Sequence, residues 1–155
     1  MEKIKSREAL KHEVAEVMQM RFCDCRLLLN LTTQEVGEWI DPIVVGEDYK
    51  WPNVGDEVIE IEAPTSCESF MAMTEFADNQ SDFIARKLYD ALNGKRPFNH
   101  FKSAINFLGI QEKWYAFKNE WYEEKAEDWL RLNEVDFKNG RIVTSGDTFT
   151  WSEEH

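Results

Sequence analysis

Hydrophobic positions in the first part of the chain recur first at helical and then at strand spacing. Leu10, Val14, Val17 and Met18 fall at i, i+4, i+7 and i+8 behind Ser6, a residue type that caps helix starts. A helix is therefore predicted from Ser6 to about Met20. From Phe22 the period changes. Leu27, Leu29 and Leu31 alternate with Leu28 and Asn30, a polar run from Thr32 to Gly37 follows, and Glu38-Trp39-Ile40 closes the segment. Two short alternating runs about a polar turn predict a β-hairpin. Pro42 and the stretch from Gly46 to Gly55 read as a loop, whose aromatic members Tyr49 and Trp51 are placed as cover over a core. Val58-Ile59-Glu60-Ile61-Glu62 is a strand candidate ended by Pro64.

Helical periods dominate from there. Thr65 and Glu68 have the spacing of a capping box, and Phe70, Met73 and Ala77 form the stripe behind it, widened by Met71 and Phe76. The run from Asp78 to Ser81 breaks that helix. Ser81 or Asp82 caps the next, which turns Ile84, Leu88, Ala91 and Leu92 inward. Gly94 is placed as the left-handed residue that closes it, and Pro97 as the first residue of a third helix. There Phe98, Phe101, Ile105 and Leu108 make an inward stripe stopped by Gly109. The longest helix is predicted from about Gln111 to Leu132. Trp114, Phe117 and Trp121 share one direction, and Tyr115, Tyr122, Ala126 and Trp129 an adjacent one, which predicts contact on two sides. Glu120, Glu123, Glu124, Glu127 and Asp128 read as its wet face, and His12 as a solvated residue off the first helix's stripe. Asn139-Gly140 marks a tight hairpin between Val135 and Phe137 on one side and Ile142 and Val143 on the other. Thr148 to Trp151 alternates like a short edge strand.

These elements define an α+β fold, with a small antiparallel β-sheet or hairpin portion packed with a mainly helical module of four to five helices. The length suits one domain over residues 1–155: a helix plus strand-rich part (1–62), the helical module (63–132) and a C-terminal hairpin extension (133–155). Six Trp and ten Phe point to a core of large rings.

Charge narrows the function classes. A formal net charge of −12 opposes non-specific binding to nucleic acid or to an anionic membrane, because phosphate contacts need a surplus of Lys and Arg. Cys23, Cys25 and Cys67 make an odd count, which fits a reducing cytoplasm better than a disulfide framework. No His/Cys set with zinc spacing accompanies Cys23-Asp24-Cys25, so no metal is expected there. The N-terminal charges are followed by no apolar run of a signal peptide, and no stretch approaches the length of a membrane span. The expected location is cytoplasmic.

Phe70, Phe76, Ala91-Leu92, Gly94, Arg96-Pro97-Phe98, Phe101-Lys102, Trp114-Tyr115, Phe117 and Ala126 through Trp129-Leu130 together carry a resemblance. From about Val58 to Leu132 the chain resembles the uncharacterised bacterial protein family 0158. The most specific element is Ala-Leu-x-Gly-x-x-Pro-Phe-x-x-Phe-Lys, followed by Trp-Tyr and a distant Trp-Leu. The resemblance implies a helical module after a small sheet and implies no activity. The segment after Leu132 lies outside it and reads as an extension.

The residues themselves supply no catalytic set. His12, His100 and His155 lie far apart in sequence, and there is no Gly-rich phosphate loop, Gly-x-Ser-x-Gly elbow or His-Glu-x-x-His motif. No cofactor is expected. Two classes remain. The favoured one is a non-catalytic binding or adaptor protein whose acidic surface docks a basic protein partner, with Trp39, Tyr49 and Trp51 as aromatic anchors. The alternative is a small-ligand sensor or enzyme with a pocket near the joint at residues 94–102. It would use Lys95, Arg96, His100, Lys102 and Tyr115, since cations beside the free N–H groups of a helix start bind anions. The plainer reading of those cations is pairing with acidic neighbours.

Overall fold

A computed structural model describes residues 6–20, 25–46 and 50–152. Along them run α1 (Arg7–Gln19), β1 (Cys25–Asn30), β2 (Glu35–Ile40), α2 (Pro42–Val45), β3 (Glu57–Glu60), α3 (Ser66–Asp78), α4 (Asp82–Leu92), α5 (Pro97–Leu108), α6 (Gln111–Leu132), β4 (Asp136–Lys138), β5 (Arg141–Val143) and β6 (Thr148–Thr150). The fold is α+β. Two compact units divide it: Pro64–Trp121, all helical, and Met1–Ala63 with Tyr122–His155, which holds the strands.

In the sheet unit the strands lie in the order β2-β1-β3-β6, every neighbour antiparallel. Successive strand side chains point to opposite faces, and this explains the near-continuous leucines of β1, which is covered on both sides. Leu27 and Leu29 join Ile59 and Ile61 in a core completed by Leu10, Val14, Ala15, Val17 and Met18 of α1 and by Ala126, Trp129 and Leu130 of α6. Leu28 and Val58 face the other way, beneath Trp39, Trp51, Phe149 and Trp151. The Trp51 ring lies over Gly37, where an added Cβ would come within 3.2 Å of it. Asn30, fully buried at the end of β1, is satisfied on both ends. Its amide donates to Asp56 at 2.8 Å, and its oxygen accepts from the N–H groups of Thr32 (3.0 Å) and Thr33 (3.1 Å). Asp56 also accepts from the N–H of Asn53 at 3.0 Å, so one polar knot ties the hairpin turn to the turn before β3.

The α1 helix starts where its cap residue predicts, with Ser6 Oγ accepting from the Ala9 N–H at 3.1 Å. Pro42 does not continue a loop. Asp41 accepts from the Ile43 N–H at 3.0 Å and Pro42 takes the first helical position, so the Asp-Pro pair starts a single helical turn. The tight hairpin forms as its turn chemistry requires: Asn139 (φ 54°) and Gly140 (φ 76°) are both left-handed, and Lys138 faces Arg141. The C-terminal residues are more than an appended hairpin, since β6 pairs with β3 and supplies an edge of the main sheet.

In the helical unit Thr65 and Glu68 close a reciprocal capping box (3.1 and 3.2 Å). Met73, Phe76, Ala77, Leu88, Leu92, Phe101, Ile105, Ile110 and Trp114 form its core, with Phe117 packed against it. The joint between α4 and α5 departs from expectation. Asn93 caps α4 in the right-handed region, and Gly94 does not adopt a left-handed φ. The left-handed residue is Arg96 (φ 48°, ψ 58°), immediately before Pro97. Four residues separate the two helices, so the reversal has room to fall away from the glycine. The wide apolar circumference of α6 also has a different cause from contact on two sides at one level. Trp114 and Phe117 belong to the helical unit's core, and Tyr122, Ala126, Trp129 and Leu130 to the sheet unit's core further along.

Candidate functional site

Charge is unevenly distributed between the units. Pro64–Trp121 contains seven acidic and seven basic side chains, so the whole −12 resides in the sheet unit. Part of that charge is gathered where α1 lies along the second half of α6. Lys11, Glu123, Glu124, Glu127, Asp128 and Arg131 line a shallow open groove of about 370 Å³.

The seam between the two helices is built from pairs whose order reverses along the chain, Arg7 with Glu127 and His12 with Glu123, so the helices run antiparallel. Arg7 grips Glu127 with both guanidinium nitrogens, one at 2.9 Å. This bidentate hydrogen bond raises the Arg7 pKa further and holds the Glu127 carboxyl below its ordinary value. His12 Nδ1 lies 2.9 Å from Glu123 and Nε2 lies 3.0 Å from Glu16. The hydrogen bond to Glu123 raises the His12 pKa, with desolvation opposing it and the charge of Glu16 reinforcing it. The wet face predicted for α6 is therefore only partly wet. Glu123 and Glu127 are half-buried and engaged, while Glu124 and Asp128 are exposed and make no ion pair among the described residues. His12 is solvated as expected, yet it also reaches across to α6, a contact between residues far apart in sequence.

The other residues singled out from the sequence fall in separate places. Lys95, Arg96, His100 and Lys102 are all exposed. The His100 N–H donates to the Arg96 carbonyl at 3.0 Å, the first backbone bond of α5. Among the described residues Lys95, Arg96 and Lys102 have no acidic partner. Tyr115 is 51% exposed, outside both cores, with Lys118 Nζ 5.3 Å from its ring centroid. Lys118 is a cation that no sequence motif marks. Burial, and then the like charge of Lys102, lower its pKa. Lys102, Lys118 and Tyr115 thus share one electrostatic neighbourhood, to which no described contact ties Lys95, Arg96 or His100. Trp39 and Trp51 are partly buried on the outer sheet face, Trp39 with its ring 5.7 Å from Trp151. Tyr49, Cys23 and His155 lie outside the described residues.

Exposed carboxylates beside a groove can recognise ammonium or guanidinium groups and steer a basic partner. Among the described residues, no three His, Cys, Asp or Glu side chains gather as a metal site. Among the same residues, no helix is long and apolar enough to cross a membrane.

The class these features define is an α+β protein with its net charge confined to one of two compact units. The model of an uncharacterised protein family, UPF0158, matches residues 50–144, more than half of the chain, and the protein belongs to that family. The match reaches past Leu132 to include the β4–β5 hairpin, so that part of the C-terminal segment is family sequence rather than an extension. No curated protein and no solved structure matches the chain.

Proposed function

We propose that the protein is a non-catalytic binding or adaptor protein of the bacterial cytoplasm, whose acidic sheet unit docks a protein partner with a basic surface. The observation that carries this reading is the confinement of the entire net charge to one unit, together with a groove rimmed by Glu124 and Asp128, which have no ion-pair partner among the described residues. A field of that sign speeds encounter with a cationic surface, and salt screens it over roughly 10 Å at 0.1 M. The test is capture of partners by tagged protein from its native cytoplasm, with mass spectrometry of retained proteins and small molecules. A stoichiometric protein released by salt, and lost from Glu124→Lys with Asp128→Lys, supports the reading. A protein retained equally by that double variant refutes the groove as the docking site.

A second reading has its own observation. Lys118 is partly buried beside Lys102 without an acidic partner among the described residues, an arrangement that an anion would relieve. A small-ligand sensor or enzyme site near the 94–102 joint would then hold a phosphate or carboxylate there. Retention of an anionic metabolite, lost on Lys102→Gln with Lys118→Gln, would replace the adaptor reading.

A further inference from the structure

Among the described residues, the seam between α1 and α6 contains one histidine, a group that changes charge near neutral pH. Both nitrogens of His12 face carboxylate oxygens, Glu123 at 2.9 Å and Glu16 at 3.0 Å. A neutral imidazole has one N–H and one lone pair, so it can donate to only one of two carboxylates and must turn its lone pair toward the other. Only the imidazolium satisfies both contacts. The surrounding charges do not supply a substitute donor. On α1, Lys11 is paired with Glu8 at 3.0 Å, and Arg7 is committed to Glu127 further along the seam. On α6, Arg131 is turned to Glu127 at 3.8 Å, and Glu124 and Asp128 add further negative charge to the groove. β2, which also packs against α1, carries Glu38 on the same face as Val36.

We propose that His12 is a pH-responsive clasp between α1 and α6: protonated, it bridges Glu16 and Glu123, and on losing its proton it keeps a donor for only one of them, which opens the bridge. This goes beyond the docking reading and stands without any partner. The neighbouring Arg7–Glu127 pair does not titrate near neutrality, so the seam has one constant fastening and one that follows pH. Because folding raises the histidine's pKa, the clasp is at full strength below the ordinary histidine value of about 6.5. It is lost as pH rises through the raised value. His12 is 62% exposed, so the clasp modulates the seam and cannot by itself detach a helix whose Leu10 and Val14 are fully buried.

The test is an NMR titration of the histidine rings at low salt, combined with amide hydrogen exchange across α1, corrected for intrinsic rates. In the wild-type protein the His12 midpoint should lie above that of a histidine model peptide, and Glu123→Gln should lower it. Protection of α1 amides should fall about two- to fivefold as pH rises through that midpoint, the range for an exposed ion pair. The step should vanish in His12→Gln, a surface variant that leaves the core untouched. A wild-type midpoint at or below the model peptide overturns the proposal. So does a midpoint unchanged by Glu123→Gln, or a pH step that persists in His12→Gln.

Discussion

In the helical unit, Phe76, Phe101 and Trp114 meet edge to face, with ring centroids 4.9 Å apart for Phe101–Trp114 and 5.2 Å for Phe76–Trp114, and Phe117 stacks on Trp114 at 6.0 Å. In the sheet unit the core between the sheet and the helices is filled mostly by Leu, Ile, Val and Ala side chains from α1, β1, β3 and α6, and rings gather on the outer sheet face. The difference extends to charge. The helical unit is electrically balanced, whereas the sheet unit carries −12 and answers part of its repulsion with Arg7–Glu127, His12–Glu123 and Arg26–Glu60. One unit has rings at the centre of its core. The other is specified by strand register, a buried polar knot and ion pairs that fasten a helix over its acidic neighbour. The docking surface proposed above lies on the second kind, where exposed carboxylates without an ion-pair partner among the described residues remain after the structural ones are engaged.

The largest effect that could break this contrast is in the ring cluster. Phe101→Ala removes a fully buried ring and should cost about 3–5 kcal/mol in denaturant melts. Size alone predicts as much, so the sharper measurement is a double-mutant cycle between Phe101 and Trp114. Edge-to-face geometry predicts a coupling of about 0.5–1.5 kcal/mol beyond area burial. Strict additivity would mean that the rings act only as bulk, and the helical unit would differ from the sheet unit in composition rather than in kind.

A smaller effect probes the sheet unit. Asn30→Ala leaves Asp56 without its amide donor and the Thr32 and Thr33 N–H groups without their acceptor. The expected loss is about 1–3 kcal/mol. Asn30→Leu restores volume but none of the hydrogen bonds, and it should rescue little. A full rescue by Leu would show that packing, and not the polar knot, secures the two turns.

How much of this was legible in the sequence depended on how local the determining forces are. The capping box at Thr65 and Glu68 and the Asn139-Gly140 turn were readable because each interaction closes within a few residues. The strand alternation around Leu28 was readable because it follows backbone geometry. The site was much less so. His12 and Glu123 are 111 positions apart, and only the docking of α1 on α6 brings them together. The carboxylates of α6 show one period whether they are solvated or engaged, so Glu127 and Asp128 could not be told apart beforehand. Lys118 carries no such signal, because the cation that perturbs it, Lys102, stands on another helix. The periodicity of α6 places Tyr115 in an inward direction, but that stripe changes core along the helix and leaves Tyr115 exposed.

The smallest effect tests the joint on which sequence and structure disagree. If Gly94 held the left-handed position, Gly94→Ala would destabilise the protein. Here its φ is not left-handed, and an added Cβ would meet only the Asp90 carbonyl oxygen at 3.9 Å, an ordinary contact. Gly94→Ala should instead stabilise by about 0.4–1 kcal/mol, chiefly by restricting the unfolded chain. Arg96 holds the unfavourable conformation, which costs an L-residue about 1–2 kcal/mol. Arg96→Gly removes that cost while adding backbone entropy to the unfolded state, so its net gain should be no more than about 1 kcal/mol. Thermal melts of the two single variants decide the matter by sign. A lower melting temperature for Gly94→Ala returns the left-handed turn to the glycine, whereas a rise in both places it at Arg96, among the exposed cations of the electrically balanced unit.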